Sequence, residues 1–281
     1  MRTLVIASAL AALLNAAPAR GAGHGPVFGA TTPTLGRGGW SIDQAWTARC
    51  GEDGDGQQML RTMVSFGITE NLQVFGSVPL AMSDGRLAGA RMMSLMSSDR
   101  EIEGLVGYRF QRRTIGIGGR QESTVYVGGT VPLESARGGT RTSTSLYVSA
   151  ATGYASRSHY VWVGGGLQHF ADKGGDRLGA GRFASVVYGF RPKALRVEAH
   201  KPDARLFVEA TAEDRQPDSI GGVQQATSAR TVFVGPTTLI LYKAFAFEAG
   251  ALFPAYQRVG DGRGKERLRI AVNVSYFFWL K

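Results

Sequence analysis

The chain carries four histidines, His24, His159, His169 and His200. None stands in an H-E-x-x-H pattern or at another paired-ligand spacing, so no metal site is expected. His169 and Ser185 could act as base and nucleophile of a lipid-acting enzyme if the fold brought them together. A histidine at the end of an extended run is more often a solvated or hydrogen-bonded side chain, and no third member of a catalytic set stands out. Gly164-Gly165-Gly166 lacks the lysine and following helix of a phosphate loop, and within an extended run such glycines relieve crowding or bend the strand. No catalytic set and no cofactor is therefore expected. What remains is a set of ionised residues in runs whose alternate positions are apolar: Arg49, Arg61, Glu101, Glu103, Arg109, Glu248, Arg267 and Arg269. Period two puts such residues together on one face of a strand.

The elements that would carry them are strands. In Phe245–Gln257, Phe245, Phe247, Ala249, Ala251 and Phe253 share one parity, while Ala246, Glu248, Gly250 and Pro254 share the other. Further runs with unlike faces are Trp40–Arg49, Gln58–Thr69, Leu72–Met82, Asp99–Phe110, Glu122–Leu133, Ser143–Ala155, Thr231–Leu241 and Glu266–Phe278. Arg182–Phe190 and Ala204–Thr211 are short but extended. His159–Phe170 alternates poorly, because Tyr160 and Trp162 compete with Val161 and Val163. That makes twelve strands. Glycine, 39 of 281 residues, is near twice its usual share of about 7%. It disfavours helices, and almost no 3.6-residue period is visible.

Three features favour a membrane barrel over an exported β-sandwich. The strand number is even. Connections tend to alternate, with tight Thr69–Asn71, Ser156–Ser158 and Tyr242–Ala244 against long Ser83–Ser98, Ala171–Gly181 and Glu213–Ser228. Two turns on the tight side, Gln111–Gln121 and Arg191–Asp203, are longer than that rhythm prefers. The apolar faces carry no ionised side chain within the strands. About 10 residues at ~3.4 Å each, tilted ~40°, cross the ~25 Å apolar band of an outer membrane. Trp40, Trp46, Tyr108, Phe110, Tyr154, Tyr160, Tyr276 and Phe278 would form the interfacial girdle.

Residues 1–19 read as a cleaved signal peptide: Arg2, the apolar run Leu4–Leu14, and small residues at Ala17-Pro18-Ala19. Residues 20–39 form an irregular Gly- and Pro-rich segment, either a periplasmic tail or a piece tucked into the lumen. Residues 40–281 form the barrel. Export and the scatter of basic residues argue against nucleic acid as the partner of a chain with formal charge +10. An anionic lipid surface fits better, since Lys and Arg at loop bases can meet lipid phosphates. The single cysteine, Cys50, excludes an intramolecular disulfide and is placed in a polar loop.

GPVFGATTPTLGRGGWSID, SFGITENLQVFGSVPL and VFVGPTTLILYKAFAFEAGALFPAYQ resemble the outer-membrane transporter family associated with the meta-pathway of phenol degradation. The resemblance spans the chain at low density and rests on hairpin chemistry, not a reaction signature. It implies a transporter-type barrel in a Gram-negative outer membrane and apolar or aromatic solutes. It fixes no particular solute. Barrels of this kind usually end on an aromatic residue, whereas here Phe277-Phe278 precedes Trp279-Leu280-Lys281.

The expectation is an all-β, antiparallel transmembrane barrel that passes small solutes passively and is not an enzyme. Its partners would be outer-membrane lipid and lipopolysaccharide, a small solute, and the barrel-assembly machinery. A lipid-modifying enzyme and a structural or adhesive barrel are the alternatives. Arg49, Arg61, Arg267 and Arg269 would gather on one wall of the outer mouth, facing Glu101 and Glu103. That would give a transverse field, a filter for charged or dipolar solutes, unless the charges pair and fill the interior instead.

Overall fold

The computed structural model describes residues 17–18, 25–52, 54, 56–82, 101–132, 143–193, 202–261 and 264–279. Twelve long strands follow the sequence: β1 (Gly39–Gly51), β2 (Gly56–Gly67), β3 (Leu72–Met82), β4 (Glu101–Ile115), β5 (Gly119–Pro132) and β6 (Ser145–Ala155), then β7 (His159–Phe170), β8 (Gly181–Phe190), β9 (Asp203–Arg215), β10 (Ala229–Tyr242), β11 (Phe245–Val259) and β12 (Glu266–Trp279). Each pairs antiparallel with its chain neighbours, and β12 pairs with β1 from Trp279↔Gly39 to Glu266↔Gly51, closing the sheet. Closure leaves no long edge to template aggregation. A two-residue strand, Ala17–Pro18, also pairs with Trp279 and Phe278.

Alternation does the sorting. Val208 is 54% exposed and its neighbour Glu209 is 0% exposed. The outward positions of the middle rows are Val106, Val127, Val148, Val163, Val186, Val208 and Val272, all exposed. β-Branched and aromatic side chains suit a pleated surface, and an exposed apolar belt of this extent needs lipid to cover it. Inward positions are mostly polar, ionised, small or aromatic, with Met59, Leu105, Val187, Leu239 and Leu252 among them.

Tight connections, residues 68–71, 116–118, 156–158 and 243–244, lie at one rim, and the longer 171–180 and 216–228, with the short 52–55, at the other. Gln111–Gln121 is therefore no long turn. β4 and β5 run on to Ile115 and Gly119 and leave a three-residue connection. β8 ends at Phe190 and β9 begins at Asp203; of the expected Arg191–Asp203 turn, residues 194–201 lie outside the described residues. The segment 83–100 lies outside the described residues.

The aromatic girdle sits at the short-turn rim, where Trp40 packs on Phe66 (4.6 Å between centroids), Phe245 on Tyr276 (5.0 Å) and Tyr276 on Phe278 (5.7 Å). Trp46, paired with Val272 at mid-height, lies outside it, and Tyr160 does not belong to it. It points into the lumen beside Trp162, while Val161 and Val163 face outward. Cys50 lies in β1, paired in register with Gly56, rather than in a loop; it is a free, half-buried thiol.

Depth along the wall predicts the cost of a charge. Val208→Arg, near the middle of β9, is expected to lower the stability of the chain refolded into lipid vesicles by about 2–4 kcal/mol, and Ala212→Arg, nearer the long-loop rim, by about 0–1 kcal/mol. Equal, small costs at both positions would contradict a lipid-facing belt.

Candidate functional site: a strapped lumen

The irregular segment 25–38 lies inside the barrel. It leaves β1 at the short-turn rim through a turn at Gly38 (φ +75°), with Gly39 N–H donating to Gly36 O at 2.9 Å. Val27, Phe28, Thr32, Thr34 and Leu35 along it are buried. A chain inside a lumen must satisfy its own backbone groups, and here strand side chains do so. Leu35 N–H donates to Gln73 Oε1 (2.9 Å) on β3, and Thr124 Oγ1 on β5 donates to Thr32 O (2.6 Å). Trp162 Nε1 on β7 donates to Thr32 Oγ1 (3.1 Å), and Ala30 N–H donates to Ser185 Oγ (2.9 Å) on β8.

The anchor of this strap is Glu209 on β9. Oε1 accepts from Val27 N–H (2.7 Å) and Thr237 Oγ1 (2.5 Å). Oε2 accepts from Phe28 N–H (2.8 Å) and Gly29 N–H (2.7 Å). Three successive backbone N–H groups converge on one carboxylate, the geometry of an anion nest. Charge-assisted bonds of this kind contribute roughly 1.5–3 kcal/mol each, set against the cost of desolvating the carboxylate. The strap also buries apolar side chains at two heights. Val27 and Phe28 pack with Phe233, Leu252 and Ala271, and Leu35 packs with Tyr160, Trp162, Phe207, Leu239 and Phe277. Gly164 gives the strap room: a Cβ there would sit 2.5 Å from Ala30 Cβ. At Gly166 a Cβ would sit 2.6 Å from Phe183 Cε1. The triple glycine thus relieves crowding inside the wall.

Toward the long-loop rim the inward charges pair. Arg49 donates from Nε to Glu266 Oε2 (3.0 Å) and makes a second contact from Nη2 to Oε1. Arg269 donates to Glu266 from Nε (2.9 Å) and Nη2 (3.1 Å) and bridges to Glu213, with its guanidinium 3.8 Å above the Phe233 ring. Arg61 reaches Glu103 (3.5 Å) and the Glu101 carbonyl (2.9 Å). Arg109 lies at the other rim, paired with Glu122 (2.9 Å), and Glu248 accepts from Asn273 Nδ2 (2.9 Å) lower on β11. These residues are buried in the barrel interior.

Arg267 does not join them. A register shift between Glu266 and Leu268 makes Arg267 the extra residue of a β-bulge, so it is exposed and Glu266 takes the inward place. Two-against-one pairing of this sort inverts parity locally. The expected wall of four arginines facing two glutamates is replaced by interleaved pairs, and the transverse field largely cancels. Glu209, Glu213 and Glu266 were not foreseen as site residues. The available signal was a lone carboxylate, Glu209, at an inward position between Val208 and Ala210 with no basic residue near it in β9.

Part of the interior is apolar. Phe75, Leu105 and Tyr126 cluster on β3–β5, with the lumen-facing Met63 and Tyr147 only partly buried beside them. Tyr147 stacks on Phe183 of β8 at 5.9 Å. His169 and Ser185 stand on opposite faces of the wall, His169 exposed outside and Ser185 buried inside. They cannot form a catalytic pair. Among the described residues no three His, Cys, Asp or Glu side chains gather to hold a metal.

Known structures place this architecture. The chain is similar to the COG4313 outer membrane channel from Pseudomonas putida F1, with a TM-score of 0.64, 12% identity, and cover of 91% of this chain and 99% of that one. It has the fold of an outer-membrane β-barrel. A NanC porin (TM-score 0.49, 9% identity, covering 84% of this chain and 98% of that one) and the outer membrane protein OprD from Pseudomonas aeruginosa (0.41, 10%, 92% and 98%) are more distant and add nothing to this. No family model matches the sequence, and no curated protein matches it significantly.

Removing one partner of the buried network leaves the others uncompensated. Glu266→Gln is expected to cost about 3–5 kcal/mol in refolding, whereas Arg267→Glu is expected to stay within about 0.5 kcal/mol and to leave any ion selectivity unchanged. A reversed order of the two costs would contradict the bulge.

Proposed function

We propose that the protein is a channel for passive passage of small solutes, apolar or aromatic ones among them, across the outer membrane of a Gram-negative bacterium, and that it is not an enzyme. The observation that carries this is the partly open apolar wall of Met63, Tyr147 and Phe183 inside a closed barrel. Such side chains face a lumen, not a sealed core, so they offer a path on which an apolar solute loses little on leaving water. The neutralised charge pairs add little barrier to an uncharged solute. The fold shared with an outer membrane channel and the sequence resemblance to transporters of phenol degradation support the same reading. Short turns then face the periplasm, as in barrels of this class. The strap acts as the restriction, held by Glu209.

A structural barrel without conduction is the second reading, favoured by the strap itself and by the two well-bonded loops 171–180 and 216–228. Single-channel recording in planar bilayers separates them. The wild-type chain is expected to give small, discrete events. Glu209→Ala, which removes all four acceptor contacts, and deletion of residues 25–34 are both expected to raise conductance severalfold. Absence of channels in all three proteins would establish the structural barrel.

A further inference from the structure

The outward face of the wall carries one row of charge at its long-loop rim. Register places Leu167, Arg182, Asp214, Arg230 and Arg258 side by side across β7–β11. Alternation turns all five away from the lumen, and in β11 a further bulge between the partners of Val232 and Phe233 brings Arg258 into line. Arg182 and Arg230 are 67% and 64% exposed. Asp214 stands between them and accepts from Arg182 Nε (2.7 Å) and Arg230 Nε (3.0 Å). Arg258 makes no ion pair among the described residues. The row therefore sets three guanidinium groups beside one carboxylate, which pairs with two of them. They line a cleft of ≈680 Å3 together with His169 and Leu167.

The cleft is held from above. The loops 171–180 and 216–228 bond to each other, Gly179 N–H to Asp218 Oδ1 (2.7 Å), Gly221 N–H to Asp176 Oδ1 (2.7 Å) and Gln216 N–H to Ala180 O (2.9 Å). Below it, the next outward row is Ala184, Ala212, Val232 and Tyr256. Charge meets the apolar belt there within two residues, the depth at which a lipid headgroup joins its acyl chains. A guanidinium presents a planar fork of donors that matches a phosphate oxygen pair. Asp214 engages Nε and Nη2 (2.6 Å) of Arg182 and Nε of Arg230, which fixes both groups while leaving Nη1 of Arg182 and both Nη groups of Arg230 for a ligand.

We propose that Arg182, Arg230 and Arg258 bind the phosphomonoester of an outer-leaflet glycolipid, whose acyl chains lie along the alanine-rich row beneath. Asp214 is the positioning residue. The inference rests on the outer-membrane reading of the barrel, not on conduction.

The test uses the full chain in detergent micelles and native mass spectrometry with lipid A and with dephosphorylated lipid A. Wild type is expected to retain lipid A at least tenfold better than the dephosphorylated form. Arg230→Gln with Arg258→Gln should lose that preference, and Arg112→Gln with Arg113→Gln at the opposite rim should keep it. Slower migration after boiling confirms that each variant is a folded barrel, so a failed site is distinguishable from a failed fold. Equal retention of the two lipids, unchanged retention by the Arg230/Arg258 variant, or displacement of lipid A by millimolar inorganic phosphate would overturn the proposal.

Discussion

A single buried carboxylate decides what the inside of this barrel looks like. Glu209 sits in the middle of β9 with each oxygen accepting two hydrogen bonds, three of the four from consecutive backbone N–H groups of the strap. Neither party is satisfied alone. A carboxylate facing a lumen of uncharged neighbours lacks donors, and a stretch of chain without secondary structure lacks acceptors. Joining them lets an irregular segment run where irregular backbone is otherwise excluded, in a cavity enclosed by protein. Glutamine could not substitute freely, because its amide nitrogen would point donors at donors.

Around that contact the interior divides by chemistry. Shared charge pairs occupy the long-loop end, the strap and its apolar contacts the middle, and tyrosine, tryptophan and phenylalanine, with the Arg109–Glu122 pair, the short-turn end. The pairs on β1, β9 and β12 share glutamates: Glu266 serves both Arg49 and Arg269, and Arg269 serves Glu213 as well. Such sharing neutralises charge locally instead of spreading it across the lumen. The wall on β2–β6 keeps Met63 and Tyr147 partly open to the lumen beside the strap's bonds to Gln73, Thr124 and Tyr126.

Much of this was legible in sequence because alternation is a strong signal wherever the two faces differ. The twelve strands, their outward sides and most inward charges follow from parity. Failures came where parity is broken or where both faces are apolar. One extra residue at Arg267 leaves no trace in composition, yet it exchanges the places of Arg267 and Glu266. In His159–Phe170 the lumen side carries Tyr160 and Trp162 because the strap packs there, so hydrophobicity does not tell lipid from lumen. The role of Glu209 depends on a partner 180 residues away in sequence. Pairing at that distance is invisible to local pattern, although an isolated inward carboxylate is a request for donors that the Gly- and Pro-rich leader could have answered.

The strap is covalently continuous with β1 through Gly38 and Gly39. A tethered occupant differs from a diffusing blocker. Once displaced it remains at an effective concentration in the millimolar range, so its return is unimolecular and independent of how many copies the membrane holds. Any exchange between an occupied and a vacated lumen is therefore a property of the single molecule, set by the strength of one latch.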